Sequence, residues 1–192
     1  ALQFIIDELS GAVEQTARHA YGCRVLQRLM ECCHIHQVQP LVESLIPQIG
    51  MLSRHPFGNY VVQNALQHST DSQRQRMVHG LARHVLLLGS EPCGSAVLST
   101  ALTYAAEVDS LVLAQGLLKD PGLLVSMAGT RYGHAAVLKA VHLLGGAERE
   151  SAIHWLLSQS RALRATRFGR TVCDQLEVRE SQLTSAAIVG GA

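Results

Sequence analysis

Apolar residues recur along this chain with the spacing of helix faces rather than of strands. In one early segment they are Val25, Leu26, Leu29 and Met30. The spacing i, i+1, i+4, i+5 places such residues on one side of a helix. Residues 61–66 repeat the spacing, and no alternating pattern typical of strands competes with it. We therefore predict an all-α chain whose main helices are about three to four turns long.

Each of these helices has a shorter apolar segment on either side. Residues 41–46 follow the first one, with Pro40 at what we expect to be the first turn of a second helix, where proline is tolerated. Residues 85–88, ahead of a later one, are four consecutive apolar residues. Three-helix units of this length cannot cover their own apolar faces, so we expect them to stack into an α-solenoid.

A short frame, an aromatic residue followed by glycine, marks each unit. It occurs at Tyr21-Gly22, Phe57-Gly58, Tyr132-Gly133 and Phe168-Gly169, with Cys93-Gly94 in the remaining unit. The spacings are 36, 36, 39 and 36 residues, which defines five units, here called copies 1 to 5. A small apolar residue follows the frame at a fixed distance: Val25, Val61, Val97, Ala136 and Val172. The position five residues ahead of the frame is apolar in every copy but the first: Thr16, Leu52, Leu88, Met127 and Leu163. A recurring core explains both positions, and the glycine is either a simple break between helices or the start of the middle helix.

The residues just behind the glycine vary from copy to copy. The first, second and fifth of them share one face of a helix, and we call them the trio. The trios are Cys23, Arg24, Gln27; Asn59, Tyr60, Gln63; Ser95, Ala96, Ser99; His134, Ala135, Leu138; and Arg170, Thr171, Asp174. Planar Arg and Tyr side chains stack on nucleobases, and Asn and Gln pair with base edges.

The segments Tyr21-Gly-Cys-Arg-Val-Leu-Gln27 and Phe57-Gly-Asn-Tyr-Val-Val-Gln63 resemble repeats of the Pumilio (PUF) family of RNA-binding proteins. The resemblance covers nearly the whole chain as a spacing and is specific as a motif in residues 17–66. It implies a right-handed α-solenoid of about five three-helix repeats. In that family the trio of each middle helix lies on the concave face and reads one base of single-stranded RNA, which runs antiparallel to the protein.

By that resemblance the trio of copy 1 faces an adenine, with Arg24 stacking beside it, and the trio of copy 2 faces a uracil, with Tyr60 stacking. The antiparallel arrangement then implies a 5′-U-A-3′ step. In copy 3, Ser95 and Ser99 resemble a degenerate form of the guanine-reading trio, in which Ser99 replaces an acidic residue.

The remaining positions depart from the family pattern. In copy 3, Ala96 offers no group that stacks on a base. In copy 4, Leu138 offers no hydrogen bond, so we expect this copy to contact a base only through His134 or by shape. Copy 5 stands where the family has a C-terminal cap that reads no base. The candidate RNA-binding residues are therefore the trios of copies 1 and 2 together with Ser95, Ser99 and His134.

Composition narrows the class of protein. A hydrophobic content of 47% excludes a disordered chain, while a net charge of +1 does not by itself predict nucleic-acid binding. Five cysteines without a C-x-x-C pair argue against a disulfide framework and favour a reducing compartment. No apolar run suggests a membrane span. We expect one domain over residues 1–180, truncated at its N-terminus so that residues 2–9 are the last helix of a lost repeat, followed by a tail over 181–192.

The sequence also offers candidates for a metal site, a catalytic site and a basic surface. Residues 31–36 crowd cysteines and histidines, but adjacent ligands do not wrap one tetrahedral ion, so we expect no metal site and interpret Cys32 and Cys33 as buried. No catalytic motif stands in a supporting context, so we expect no enzyme and no cofactor. Four arginines spaced by three, residues 161–170, would form a basic stripe if helical, either for phosphates or as a solvated face, and Arg54 and His55 are open to the same two interpretations.

The resemblance implies sequence-selective binding of single-stranded RNA in an mRNA untranslated region, with effects on translation or mRNA stability. We expect a cytoplasmic monomer, with protein co-regulators on the convex side. A helical scaffold for protein partners is the alternative, supported by two lysines only and by Ala96, Ala135 and Leu138. A nucleolar RNA binder in ribosome assembly is a third reading, although that group is usually more basic.

Overall fold

The computed structural model describes residues 3–189, with side chains described through Val178. All regular elements in this part of the chain are helices. The first helices of the five copies are short: α2 (Val13–Arg18), α5 (Ile49–Arg54), α8 (Val85–Gly89), α11 (Pro121–Ala128) and α14 (Ser160–Leu163). The middle helices are α3 (Gly22–Cys32), α6 (Gly58–His68), α9 (Pro92–Tyr104), α12 (Gly133–Leu143) and α15 (Arg167–Val189). The third helices are α4 (Ile35–Leu45), α7 (Asp71–Ala82), α10 (Glu107–Leu118) and α13 (Gly146–Ser158), and α1 (Gln3–Ser10) precedes copy 1.

The copies stack in chain order. Each middle helix packs against the next, from α3 through α6, α9 and α12 to α15. The third helices form the other side of the stack, and α1 packs against α4 there. One continuous core of fully buried side chains, such as Leu26, Val62 and Leu98, runs through the array. The predicted all-α repeat solenoid is confirmed.

The frame glycine permits a close approach between the first and middle helices of each copy. A Cβ added to Gly22 would lie 2.5 Å from the backbone oxygen of Thr16, and one added to Gly58 would lie 2.9 Å from that of Leu52. The other frame glycines meet the equivalent oxygens in the same way. None of them needs a positive φ, since Gly146 alone among the described residues has one. Close packing, not a turn, therefore explains the glycine.

In copies 1, 2, 4 and 5 a side chain three residues ahead of the glycine caps the start of the middle helix, whereas Glu91 of copy 3 makes no such bond. His55 Nδ1 accepts hydrogen bonds from the backbone N–H groups of Phe57 and Gly58, both at 3.2 Å. His19 does the same in copy 1, while Thr130 and Thr166 cap their helices through the hydroxyl oxygen at 3.0 Å. The predicted helix start at the glycine is confirmed in copies 1, 2 and 4; in copies 3 and 5 the helix begins two residues earlier.

Val25 departs from the predicted core. Its counterparts Val61 and Val97 are fully buried, but Val25 is 46% exposed. The reason is its place in the stack, because α3 is the first middle helix of the chain and no middle helix precedes it in the described residues.

Two local predictions were wrong. The second helix of copy 1 begins at Ile35 rather than near residue 41, so Pro40 lies inside it. The lost N–H would have bonded the carbonyl of His36, and both residues are exposed, where water replaces that bond. Cys32, interpreted as buried, is exposed at the end of α3, and Cys33 is half-buried and packs against the edge of the core.

The condition for a basic stripe over residues 161–170, one continuous helix, is not met. α14 ends at Leu163 and α15 begins at Arg167, so a turn separates the arginines. Arg164 instead pairs with Asp174 and Glu177 of α15, each at 2.8 Å.

Within the described residues no single helix has the length and hydropathy to cross a membrane, and one pair, α10 with α11, reaches the threshold only when joined across a bend of 105°. The predicted domain boundary at residue 180 falls inside α15. The predicted tail, 181–192, extends beyond the described residues, and this division stays a prediction.

Candidate nucleic-acid interface

The trios of copies 1 and 2 lie at equivalent positions on two adjacent helices, α3 and α6. Their second residues, Arg24 and Tyr60, are exposed, and the Tyr60 ring is 53% exposed. Their third residues, Gln27 and Gln63, are half-buried. The side chains that the sequence assigned to stacking are therefore open to solvent, and the glutamines lie beside them.

The first residue of each of the first three trios is buried beneath this surface. Cys23, Asn59 and Ser95 are 2%, 3% and 2% exposed. Each side chain donates to a nearby backbone oxygen: Cys23 Sγ to Ala20 at 3.3 Å, and Ser95 Oγ to Gly89 at 2.9 Å. These side chains stabilise the start of the middle helix. Their donor groups are already bonded there, so a ligand could contact only their other side-chain atoms.

Asn59 is oriented by its hydrogen bonds. Its Nδ2 donates to the backbone oxygens of His55 at 2.8 Å and Pro56 at 2.9 Å. Two acceptors on one side require the NH₂ group there, so Oδ1 faces Gln63. Gln63 Nε2 donates to that Oδ1 at 3.0 Å, and Gln63 Oε1 accepts from Thr100 Oγ1 at 3.1 Å. The Gln63 amide thus connects copy 2 with copy 3.

Copy 1 has a simpler arrangement. Gln27 Nε2 donates to the backbone oxygen of Cys23 at 2.9 Å. No bond to Gln27 Oε1 occurs among the described residues, so this acceptor is available to a ligand. Arg24 makes no side-chain hydrogen bond or ion pair in the same part of the chain, and its guanidinium is available as well.

A cleft of about 290 Å³ spans copies 2, 3 and 4 on this face. We call it the copy-3 cleft. Its lining residues from copy 2 are Asn59, Tyr60 and Gln63; from copy 3 Pro92, Cys93, Ala96, Ser99 and Thr100; and from copy 4 Arg131, Tyr132 and Ala135. The small side chains of Ala96 and Ala135 leave the space open. Ser99 therefore lies in the cleft, whereas Ser95 lies beneath it.

The later trios are largely occupied by contacts within the protein. The His134 ring stacks on Phe168 of copy 5, with ring centres 4.8 Å apart and planes inclined by 29°. Its Nδ1 is 3.1 Å from the backbone oxygen of Thr130. Leu138 packs against the core, and Asp174 pairs with Arg164. In the described residues His134 Nε2 has no hydrogen-bond partner, and the ring is partly covered by Phe168.

Arg54 and His55, for which the sequence left two interpretations open, both have partners within the protein. Arg54 makes a bidentate ion pair with Glu91 of copy 3, at 2.6 and 2.9 Å, and this partner raises the pKa of Arg54 and lowers that of Glu91. His55 caps α6, and burial lowers its pKa, which the charge of Arg18 lowers further. Arg54 therefore joins copy 2 to copy 3, whereas His55 acts within copy 2.

Arg131 of the copy-3 cleft was missed by the sequence reasoning. It directly precedes the aromatic residue of its frame, where copies 1 to 3 have Ala20, Pro56 and Pro92. This departure from alanine or proline to arginine was the available signal. The guanidinium carbon lies 5.4 Å from the centre of the Tyr132 ring.

Comparison with known families agrees with the repeat frame. The model of the Pumilio-family RNA binding repeat matches residues 13–46 and 48–82, which are copies 1 and 2.

Solved structures of similar fold cover most of the chain. PUF-8 in complex with PBE-RNA is 23% identical over 92% of this chain and 53% of that chain, with a TM-score of 0.73. The Puf3 RNA-binding domain bound to the Cox17 RNA 3′ UTR recognition sequence site A is 19% identical over 94% and 53%, with a TM-score of 0.78. The RNA-binding domain of yeast Puf5p bound to SMX2 RNA is 20% identical over 86% and 48%, with a TM-score of 0.73.

The chain spans about half the length of these solved chains. The matched residues lie in copies 1 and 2, and copies 3 to 5 continue the same helical stack. Copies 1 and 2 therefore match the Pumilio-family RNA binding repeat, and the chain as a whole shares the fold of the Puf RNA-binding domains over most of its length.

Proposed function

We propose that this chain binds single-stranded RNA through the face formed by α3, α6 and α9, with copies 1 and 2 contacting a 5′-U-A-3′ step. The observation that carries the proposal is the surface made by Arg24, Gln27, Tyr60 and Gln63. These four residues lie on adjacent helices, two of them exposed and two half-buried, and none of them is sealed in the core.

The chemistry of these groups suits bases rather than a duplex. An exposed guanidinium and an exposed phenol ring, on neighbouring helices, are stacking surfaces for unpaired bases. Gln63 Nε2 and Asn59 Oδ1 now bond each other, and together they offer one donor and one acceptor. The Watson–Crick edge of uracil has a donor N3–H between two acceptor oxygens. Binding of uracil would therefore replace the bond between Gln63 and Asn59 by two bonds to the base, one from Gln63 Nε2 to an oxygen and one from N3–H to Asn59 Oδ1.

The relatives support the same class of ligand. The matching family model describes RNA-binding repeats, and PUF-8, Puf3 and yeast Puf5p were each solved with RNA. For Puf3 that RNA is a 3′ UTR recognition sequence. We therefore extend the proposal to mRNA untranslated regions, with post-transcriptional regulation of translation or mRNA stability by a cytoplasmic monomer and protein co-regulators on the third-helix side.

The experiment is fluorescence anisotropy of the purified chain with labelled single-stranded RNAs that differ only in a central U-A step. Gln27→Ala and Gln63→Ala remove one predicted base contact each. We expect each variant to lose about 5- to 150-fold in affinity for the U-A oligonucleotide, the equivalent of one base contact of about 1–3 kcal/mol, and to lose part of the preference for U-A.

Gln39→Ala is the matched control, because Gln39 is an exposed glutamine on α4, in the third-helix layer. It should bind like the wild type. Equal loss in all three variants would contradict base contacts at the two trios. No binding of the wild type to any RNA would instead favour the scaffold for protein partners, for which the eroded trios of copies 3 and 4 are the supporting observation.

A further inference from the structure

The copy-3 cleft has two aromatic walls and one cation. Tyr60 forms one wall at 53% exposure, and Tyr132 forms the other at 42%. Between them the middle helix of copy 3 contributes Ala96, which cannot stack on a base. A base bound in this cleft would therefore find its aromatic contacts in copies 2 and 4 and none in copy 3.

Arg131 is the one cleft residue with a charge at neutral pH. The other lining side chains are neutral amides, hydroxyls, phenols, a thiol and apolar groups. No carboxylate pairs with Arg131 in the part of the chain that the structure describes, and its one assigned contact is the Tyr132 ring. The cleft therefore carries an uncompensated positive charge and favours an anion.

The contact with Tyr132 leaves the hydrogen-bonding capacity of the guanidinium unused. A cation over an aromatic ring is held by the ring face, whereas the five N–H donors lie at the edge of the guanidinium plane. An arginine held in this way suits a phosphate group, which accepts two parallel hydrogen bonds from the guanidinium edge.

Three other arginines of the described residues are paired with carboxylates. Arg54 is bound by Glu91, Arg76 by Glu43, and Arg164 by two carboxylates. Arg131 differs from them in having no anionic partner and in lining a cleft beside the candidate uracil reader Gln63.

We propose that Arg131 binds the backbone phosphate of the RNA nucleotide that lies against copy 3, and so substitutes charge for the stacking group that Ala96 lacks. This rests on the proposed RNA binding and goes beyond the trios. The ligand class is a phosphodiester of single-stranded RNA, and the contact is independent of which base occupies copy 3.

The test measures the affinity of the U-A oligonucleotide at several salt concentrations for the wild type, Arg131→Ala and Arg131→Lys. For Arg131→Ala we expect a loss of about tenfold for every RNA that binds, as for one charge-assisted hydrogen-bonded contact. The slope of log K against log salt should become shallower by about 0.7, as for one phosphate on a single strand. Arg131→Lys should keep the wild-type slope.

Arg83→Ala is the matched control, since Arg83 is exposed, directly follows α7 of the third-helix layer and has no ion-pair partner in the described part of the chain. It removes the same net charge and should leave affinity and slope unchanged. Arg131→Ala that behaves like Arg83→Ala overturns the Arg131 assignment alone, as does Arg131→Lys with the shallow slope of the alanine variant. A wild type that binds no RNA overturns the RNA function and the assignment together.

Discussion

Gln63 and Asn59 bond each other through their amides, Gln63 Nε2 donating to Asn59 Oδ1 at 3.0 Å. The two residues nevertheless have different tasks. Asn59 is 3% exposed and supplies the donors for two backbone oxygens ahead of α6, whereas Gln63 is half-buried and makes its other bond to copy 3. A base can displace the bond between them without disturbing the start of the helix.

This division predicts different effects of the two alanine variants on stability. Asn59→Ala leaves the oxygen of Pro56 without its donor, whereas the oxygen of His55 keeps the backbone N–H of residue 59. We expect the variant to lower the free energy of unfolding by about 1–3 kcal/mol. Gln63→Ala leaves the bonds to the backbone intact but removes the donor to Asn59 Oδ1, so we expect a smaller loss of about 0.5–1.5 kcal/mol. Urea unfolding followed by circular dichroism measures both. Equal destabilisation by the two variants would contradict the assignment of separate tasks.

The sequence predicted the middle helices and their order because the frame is local. Five copies of Gly followed by two adjacent apolar residues encode a helix start and a core face at once. The identity of the solvent-facing residues was harder to predict. Asn59, Tyr60 and Gln63 share one helix face, and the sequence does not tell which of them is buried. In the structure Asn59 is buried and Tyr60 is exposed.

Features that depend on neighbouring copies could not be predicted from one copy. The cap ahead of the glycine is His in copies 1 and 2 and Thr in copies 4 and 5, and copy 3 has no side-chain cap, so no single residue type marked it. Arg131 precedes the frame and stood outside the positions compared. The exposure of Val25 depends on the absence of a preceding middle helix in the described residues, which its own segment does not encode.

The glycine frame predicts a steric effect at Gly58. An added Cβ lies 2.9 Å from the backbone oxygen of Leu52, which cannot move without shifting α5. We expect Gly58→Ala to lower the free energy of unfolding by about 1–3 kcal/mol, the range of overpacked core sites. Chemical denaturation measures this.

Gly11→Ala is the control for that variant, because its Cβ would come no closer than 3.8 Å to the oxygen of Glu8. Its effect should stay within about 0.5 kcal/mol. A Gly58→Ala protein as stable as Gly11→Ala would show that α5 and α6 do not approach as closely as described.

Val25 and Val61 occupy the same position in copies 1 and 2 and differ in burial. Val61 is fully buried between α3 and the rest of the core, so Val61→Ala should lower the free energy of unfolding by about 2 kcal/mol. Val25 is 46% exposed, and Val25→Ala in this chain should cost about 0.5 kcal/mol or less. The same unfolding measurement compares them, and a larger loss for Val25→Ala would contradict the stacking order.

His55 predicts a pH dependence of stability. Its Nδ1 accepts two backbone hydrogen bonds, and burial lowers its pKa below the ordinary value, with a further contribution from Arg18. The folded protein therefore binds fewer protons at this site than the unfolded chain. The contribution of the cap is fully present above the unfolded pKa of about 6.5 and is lost as the pH falls through the folded pKa.

His55→Thr removes this titration and keeps a cap, since Thr130 and Thr166 fill the same position in copies 4 and 5. We expect the variant to match the wild type in stability near pH 8 and to lose less stability between about pH 6.5 and 5. Urea unfolding midpoints across that range measure the difference, and the other histidines cancel because both proteins contain them. Parallel pH profiles would exclude His55 as a titrating cap. A variant that is weaker at every pH would instead show that threonine cannot replace the two hydrogen bonds that the imidazole accepts.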